Sequence, residues 1–214
     1  MTKDEYIKYM QAKLWEFRDL LYEKSDSPLV FLGKVDINLD DYVEFSKTYF
    51  DLANQDWEQE KPYFTKEGNF RAKLNILSGY NKLNSFVLNY GKNGNTNEVL
   101  KEIFGKDNFT RLDLIPDTVL LRLIVKFPGH GFPFHVDDAS SYKENFSQYS
   151  DKAKRLWIPV SPWDDGHMFQ ISNQIITQWD SGDTYHIPWG TTHLGVNYGF
   201  KPQFTLSLTG CTYE

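Results

Sequence analysis

The sequence predicts a mostly β protein, an antiparallel barrel or jelly roll flanked by N-terminal helices. Three observations carry that prediction. Apolar residues at helical spacing are confined to the first half of the chain, short strand-like runs cut by Pro, Gly and Asp clusters follow one another from Asp117 onward, and 214 residues suit one domain with a full core better than two. The expected division is a single domain over 1–214, helix-rich through 116, with the jelly-roll core over 117–210.

Thr2-Lys3-Asp4-Glu5 reads as a capping box, and Ile7, Met10, Leu14, Phe17 and Leu21 then recur at helical spacing, so the first element is an amphipathic helix. The apolar run Leu29 to Leu32 precedes Asn38-Leu-Asp-Asp, a helix start for the segment through Leu52. A further helix is expected over Glu98 to Phe104, entered from the Gly/Asn-rich loop at Gly91 to Asn97 and stopped by Gly105. Strands are expected over Val119 to Phe127, Arg155 to Val160, Met168 to Trp179, Thr184 to Ile187 and Gln203 to Thr209. The polar stretch from Ala139 to Lys154 is too long for a hairpin turn, and is read either as a lid or as a solvated loop.

Composition removes several functions. A formal net charge of −6 leaves no general basic field for a phosphate backbone, so nucleic acid is not an expected partner. No apolar run has the length of a membrane span, and the charged start MTKDEYIKYMQAKLWEF is unlike a secretory leader, so a cytoplasmic location is expected. One cysteine, Cys211, excludes an intrachain disulfide and a thiolate-rich zinc site.

The chemistry lies with the histidines. His135 and Asp137 are two apart in Phe134-His-Val-Asp-Asp, so on an extended strand both side chains leave one face and reach one ion. His193 follows the turn Pro188-Trp-Gly-Thr-Thr. Two imidazoles and one carboxylate form the facial triad that holds non-haem Fe(II) and leaves coordination positions open. His130 reads as an exposed turn residue, His167 as a turn residue or a substrate contact, and His186 as a core residue or a neighbour of the site.

At these residues the sequence resembles the aspartyl/asparaginyl β-hydroxylase-like branch of the Fe(II)/2-oxoglutarate-dependent oxygenases, which includes hydroxylases of free proline. The resemblance is carried by Leu121-Arg-Leu-Ile-Val-Lys-Phe-Pro-Gly-His-Gly-Phe-Pro-Phe-His-Val-Asp, by Arg155-Leu-Trp-Ile-Pro-Val, and by the stretch from Trp179 through the distal His193 to Asn197 and Gly199. It covers about Asp117 to Gly210 and implies a double-stranded β-helix, a cupin-like form of jelly roll. It also implies His135, Asp137 and His193 as metal ligands and catalytic centre, with Fe(II) and 2-oxoglutarate as cofactors. Arg155 inherits a contact with 2-oxoglutarate.

One departure stands out. The family places an Arg six residues after the Asn that follows the distal His, where it pairs with the far carboxylate of 2-oxoglutarate; this chain has Gln203, with Thr205 on the same strand face. A neutral amide lacks the charge and the planar fork of Arg. Either another cation supplies the charge, with Arg155 expected before Arg122, Lys126 or Lys201, or the co-substrate is weakly held or different. Arg122 and Lys126 share a strand face that is either the barrel interior or a polar outer surface.

The resemblance implies hydroxylation of an amino acid or peptide side chain, with O2 and a small-molecule or peptide substrate as partners. The carboxylate of Asp137 leaves no ligand position for chloride, which favours hydroxylation over halogenation. Two alternatives remain: a cupin-like metal enzyme that uses the three ligands without 2-oxoglutarate, and a catalytically silent jelly-roll binding module.

Overall fold

A computed structural model of the chain describes residues 2, 4, 5, 8, 29–59, 86–88, 96–137, 140–149 and 152–213. Among the described residues, ten strands form two antiparallel sheets. Strands β1 (Val30–Lys34), β2 (Phe86–Leu88), β3 (Leu120–Lys126), β5 (Ala153–Pro159), β8 (Asp183–His186) and β10 (Gln203–Cys211) make one, in the order β1-β8-β5-β10-β3-β2. Strands β4 (His130–Val136), β6 (His167–Ile171), β7 (Gln174–Ile176) and β9 (Thr192–Asn197) make the other, in the order β4-β9-β6-β7. From β3 to β10 the chain crosses between the sheets at every step except β6 to β7, and this alternation is the double-stranded β-helix that the resemblance implies.

The larger sheet has two differently furnished faces because strand side chains alternate. Leu121, Leu123, Val125, Leu156, Ile158, Phe204, Leu206 and Leu208 point to one side. They form a core with Tyr42 and Phe45 of α1 (Leu39–Gln59), Leu100 and Phe104 of α2 (Thr96–Phe104) and Phe109 of α3 (Lys106–Arg111). The opposite parity faces the smaller sheet, where Trp157 stacks on Phe169 at 4.2 Å and 9° and packs with Ile171, Trp179 and Ile187. A stacked pair of this kind contributes about 0.5–1.5 kcal/mol beyond its buried area. It fixes how the two sheets sit over each other.

The helix-rich part is not merely an appendage, since β1 and β2 extend both edges of the larger sheet. At the N-terminus the capping box forms: Thr2 N–H donates to Glu5 Oε2 at 2.7 Å and Glu5 N–H to Thr2 Oγ1 at 3.3 Å. The apolar stripe expected at Ile7, Met10, Leu14, Phe17 and Leu21 lies outside the described residues. Among the described residues no helix is long and apolar enough to cross a membrane.

Several expectations are corrected. The run Met168 to Trp179 is two strands, because Ser172 turns the chain with a φ of 50°. Thr96 and Asn97 belong to α2 rather than to the preceding loop, and Asn97 ties that helix to the sheet by donating to the Val119 carbonyl and accepting from Leu121 N–H. The helical chain resumes directly after Gly105 as α3. The stretch between β4 and β5 contains a short helix, α4 (Ser140–Asn145), anchored by buried Tyr142, whose hydroxyl lies 3.4 Å from Cys211 Sγ.

Candidate metal centre

The centre is built where β4 ends and β9 begins. In β4 the register runs Phe132 to Gly195 and then His135 to His193, so three residues of β4 are matched by two of β9. This is a β-bulge at Pro133 and Phe134, a fitting place for a proline, which has no N–H to give the ladder. The bulge reverses the alternation. His135 therefore faces the same side as Phe132 and stands beside His193 between the sheets, with ring centroids 4.1 Å apart.

His135, Asp137 and His193 each offer one ligand atom, all within 4.8 Å of one another. Asp137 Oδ1 lies 3.7 Å from His135 Nε2, and Asp137 Oδ2 lies 3.4 Å from His193 Nε2. His193 Nδ1 donates to the Thr191 carbonyl at 3.0 Å, which turns Nε2 into the centre as a lone-pair donor. His193 is held below the usual imidazole range, first by burial and then by the Arg155 charge, so the ring is neutral as a ligand must be. For Asp137, burial alone raises the carboxyl, but the Arg155 guanidinium foremost, together with the two imidazoles beside it, outweighs burial and holds the group well below the carboxylate range. Two imidazole nitrogens and an ionised carboxylate on one side of a point fit a divalent first-row cation.

Arg155, on the facing strand β5, reaches into the same place. Its Nη2 donates to Asp137 Oδ2 and to His193 Nε2, both at 2.7 Å, and its guanidinium carbon lies 5.9 Å from the centroid of the Trp189 ring. The guanidinium thus bonds the atoms that a cation bound to the triad would use.

Gln203, Thr205 and Lys126 stand together farther along the interior. The core side of β3 is taken by Leu121, Leu123 and Val125, so Arg122 and Lys126 point between the sheets, the first of the two readings left open by the sequence. Lys126 is the direct cross-strand partner of Gln203 and is 4% exposed. Lys201 lies elsewhere: its ammonium is exposed and pairs with Asp164 at 3.0 Å.

The other histidines take structural places. His130 opens β4, half-buried and opposite Asn197, rather than lying in an exposed turn. His167 opens β6, is 2% exposed and donates from Nε2 to the Lys201 carbonyl at 3.0 Å. His186 pairs with Leu156 and so shares its face of the larger sheet, opposite to Arg155. Asn197 clamps this end of the barrel, donating to the carbonyls of Lys126 and Lys201 at 2.8 Å each and accepting from Gly199 N–H. Sequence reasoning missed the bulge that aims His135. Its only local signal is a proline inside a strand.

Burial pushes the Lys126 ammonium down to about 7. In the unfolded chain a lysine titrates near 10.4. Between those values the unfolded chain holds the extra proton, so stability rises with pH from about 7 to about 10 and the full cost of the buried charge is felt below 7. Lys126→Met is therefore expected to be more stable than wild type near pH 6.5, with the advantage gone near pH 10. His167, lowered chiefly by burial and also by the Lys126 charge, is relieved of that charge in the variant, which adds to the variant's advantage near pH 6.5. Urea midpoints of the two proteins at both pH values check this, and a pH-independent difference would mean that Lys126 titrates normally.

No protein-family model matches this chain, and none of the curated proteins does. Among solved structures, a cupin 2 conserved barrel domain protein from Salinispora arenicola is similar at 11% identity, with 59% of this chain and 76% of that one covered and a TM-score of 0.35. A cupin domain from Bordetella pertussis is similar at 15% identity over 42% of this chain and 78% of that one, with a TM-score of 0.30. A predicted oxalate decarboxylase from Thermotoga maritima is similar at 12% identity over 44% of this chain and 69% of that one, with a TM-score of 0.32. Strand order and register, rather than these likenesses, define the fold of this chain.

Proposed function

We propose that this protein is a non-haem Fe(II)- and 2-oxoglutarate-dependent oxygenase that hydroxylates an amino acid or a peptide side chain. The observation that carries the reading is the convergence of His135, Asp137 and His193 on one point between the sheets, beside an interior that bears Arg155, Arg122 and Lys126. Two imidazoles and one carboxylate on one side leave the remaining coordination positions for co-substrate and oxygen. Bound there with 2-oxoglutarate, iron would supply the oxidation of a C–H bond by O2, with 2-oxoglutarate leaving as succinate and carbon dioxide.

The chain's own residues supply placement. His135 and His193 give lone pairs, the Thr191 carbonyl orients His193, and Asp137 gives charge. Arg155 at the metal end and Gln203 and Thr205 farther in are the proposed contacts for 2-oxoglutarate.

The neutral amide of Gln203 favours a second reading, a metal enzyme that uses the same ligands without 2-oxoglutarate. One assay separates the two. With Fe(II), oxygen and ascorbate, the proposed oxygenase is expected to turn 2-oxoglutarate slowly into succinate even without its own substrate. Absence of succinate, together with no thermal stabilisation of the metal-loaded protein by 2-oxoglutarate, would move the assignment to the second reading.

A further inference from the structure

Behind the metal centre lies a buried polar group that the metal ligands do not use. Lys126, Gln203 and Thr205 are 4%, 1% and 0% exposed. Among the described residues no group hydrogen-bonds Gln203 Oε1 or Thr205 Oγ1, and none pairs with Lys126 Nζ. Leaving buried polar groups unsatisfied costs about 1–3 kcal/mol each, more for a charge. Such a concentration of buried polar groups on one face suits a charged, polar ligand.

The backbone makes room for it. Gly195, two residues along β9 from His193, faces Lys126, and a methyl group there would stand 3.2 Å from Lys126 Cε. On β10, Gln203 is the direct partner of Lys126, which places their Cβ atoms about 4.5–5.5 Å apart, and Thr205 follows on the same face. The offset from His193 to Gly195 is two residues of strand, about 7 Å. That is close to the span of a five-carbon dicarboxylate with one end at the metal.

We infer that Lys126, with Gln203 and Thr205, forms the pocket for the distal carboxylate of 2-oxoglutarate, so that the cation comes from β3 instead of from position 203. The inference rests on the oxygenase reading. The ammonium supplies the charge; the hydroxyl of Thr205 and the amide N–H groups of Gln203 donate to the carboxylate oxygens. Arg155 cannot serve this end while it lies at Asp137 and His193.

The test compares two ligands of the full chain loaded with Mn(II) under anaerobic conditions, by calorimetric titration. 2-Oxoglutarate carries the distal carboxylate; 2-oxobutyrate chelates the metal through the same keto acid and lacks it. Wild type is expected to prefer 2-oxoglutarate, and Lys126→Met to lose that preference by on the order of 30-fold or more while its affinity for 2-oxobutyrate stays within a few-fold. The double variant Lys126→Met/Gln203→Arg is expected to regain it, because the charge returns from the neighbouring strand. Should Lys126→Met fail to bind 2-oxobutyrate through loss of fold, Lys126→Gln and the pair Gln203→Leu/Thr205→Val read the same ratio. An unchanged preference in folded variants lacking the ammonium overturns this inference and leaves the oxygenase reading standing. Failure of wild type to bind either keto acid overturns the oxygenase reading, and this inference with it.

Discussion

His135→Ala and His193→Ala are expected each to reduce metal affinity by at least two orders of magnitude and to abolish turnover. Both rings are buried, at 5% and 4% exposure, and both lie within reach of Asp137. Loss of an outer partner of a metal ligand typically costs 10–100-fold, and loss of the ligand itself must exceed that. His193→Ala also strands the Thr191 carbonyl that accepts from Nδ1, so its fold is expected to weaken by about 1–3 kcal/mol. His193→Gln controls for this, since it retains volume and a hydrogen-bond donor without an imidazole nitrogen. Dialysis against Fe(II) with metal analysis reads the result. One tightly held equivalent in either alanine variant would remove that histidine from the centre.

Arg155→Met is expected to shift the balance between protein stability and metal binding. The guanidinium bonds Asp137 Oδ2 and His193 Nε2 at 2.7 Å, the two atoms that a cation must also take. Without added metal, the variant leaves the Asp137 carboxylate without its closest positive partner. Breaking a buried pair costs about 3–5 kcal/mol, but a quarter of the Asp137 side chain still meets solvent, so a loss of about 1–3 kcal/mol is expected. A bound divalent cation replaces that charge. Mn(II) is therefore expected to bind the variant tighter than wild type by the same free energy, roughly tenfold or more, when no 2-oxoglutarate is present. 2-Oxoglutarate itself is expected to bind more weakly. Denaturant titrations with and without Mn(II) measure both terms, and weaker metal binding in the variant would mean that Arg155 supports the ligand set instead of competing with it.

Much of the β core was legible because period-two alternation is local. The expected strands at Val119 to Phe127, Arg155 to Val160, Thr184 to Ile187 and Gln203 to Thr209 each overlap an observed strand within about two residues at either end. β4 and β9 were harder to read, since HGFPFHV carries a glycine and a proline and THLGVN a glycine. Those residues weaken an isolated strand; pairing on both sides of β9 holds the segment extended regardless. The break in the run Met168 to Trp179 was invisible because Ser172 is an ordinary residue forced to positive φ by the hairpin.

The sequence by itself determined the identity and spacing of the candidate ligands, the mostly β class, and the face shared by Arg122 and Lys126. Those follow from side-chain chemistry and from the two-residue period of a strand, which act within a few residues. Only the tertiary structure decided that a bulge turns His135 toward His193, that Arg155 lies against Asp137, and that Lys126 faces inward beside Gln203. Each of these depends on register between strands far apart in the chain, such as Lys126 with Gln203. Register is set by how the apolar faces of whole sheets pack, and no local pattern encodes it.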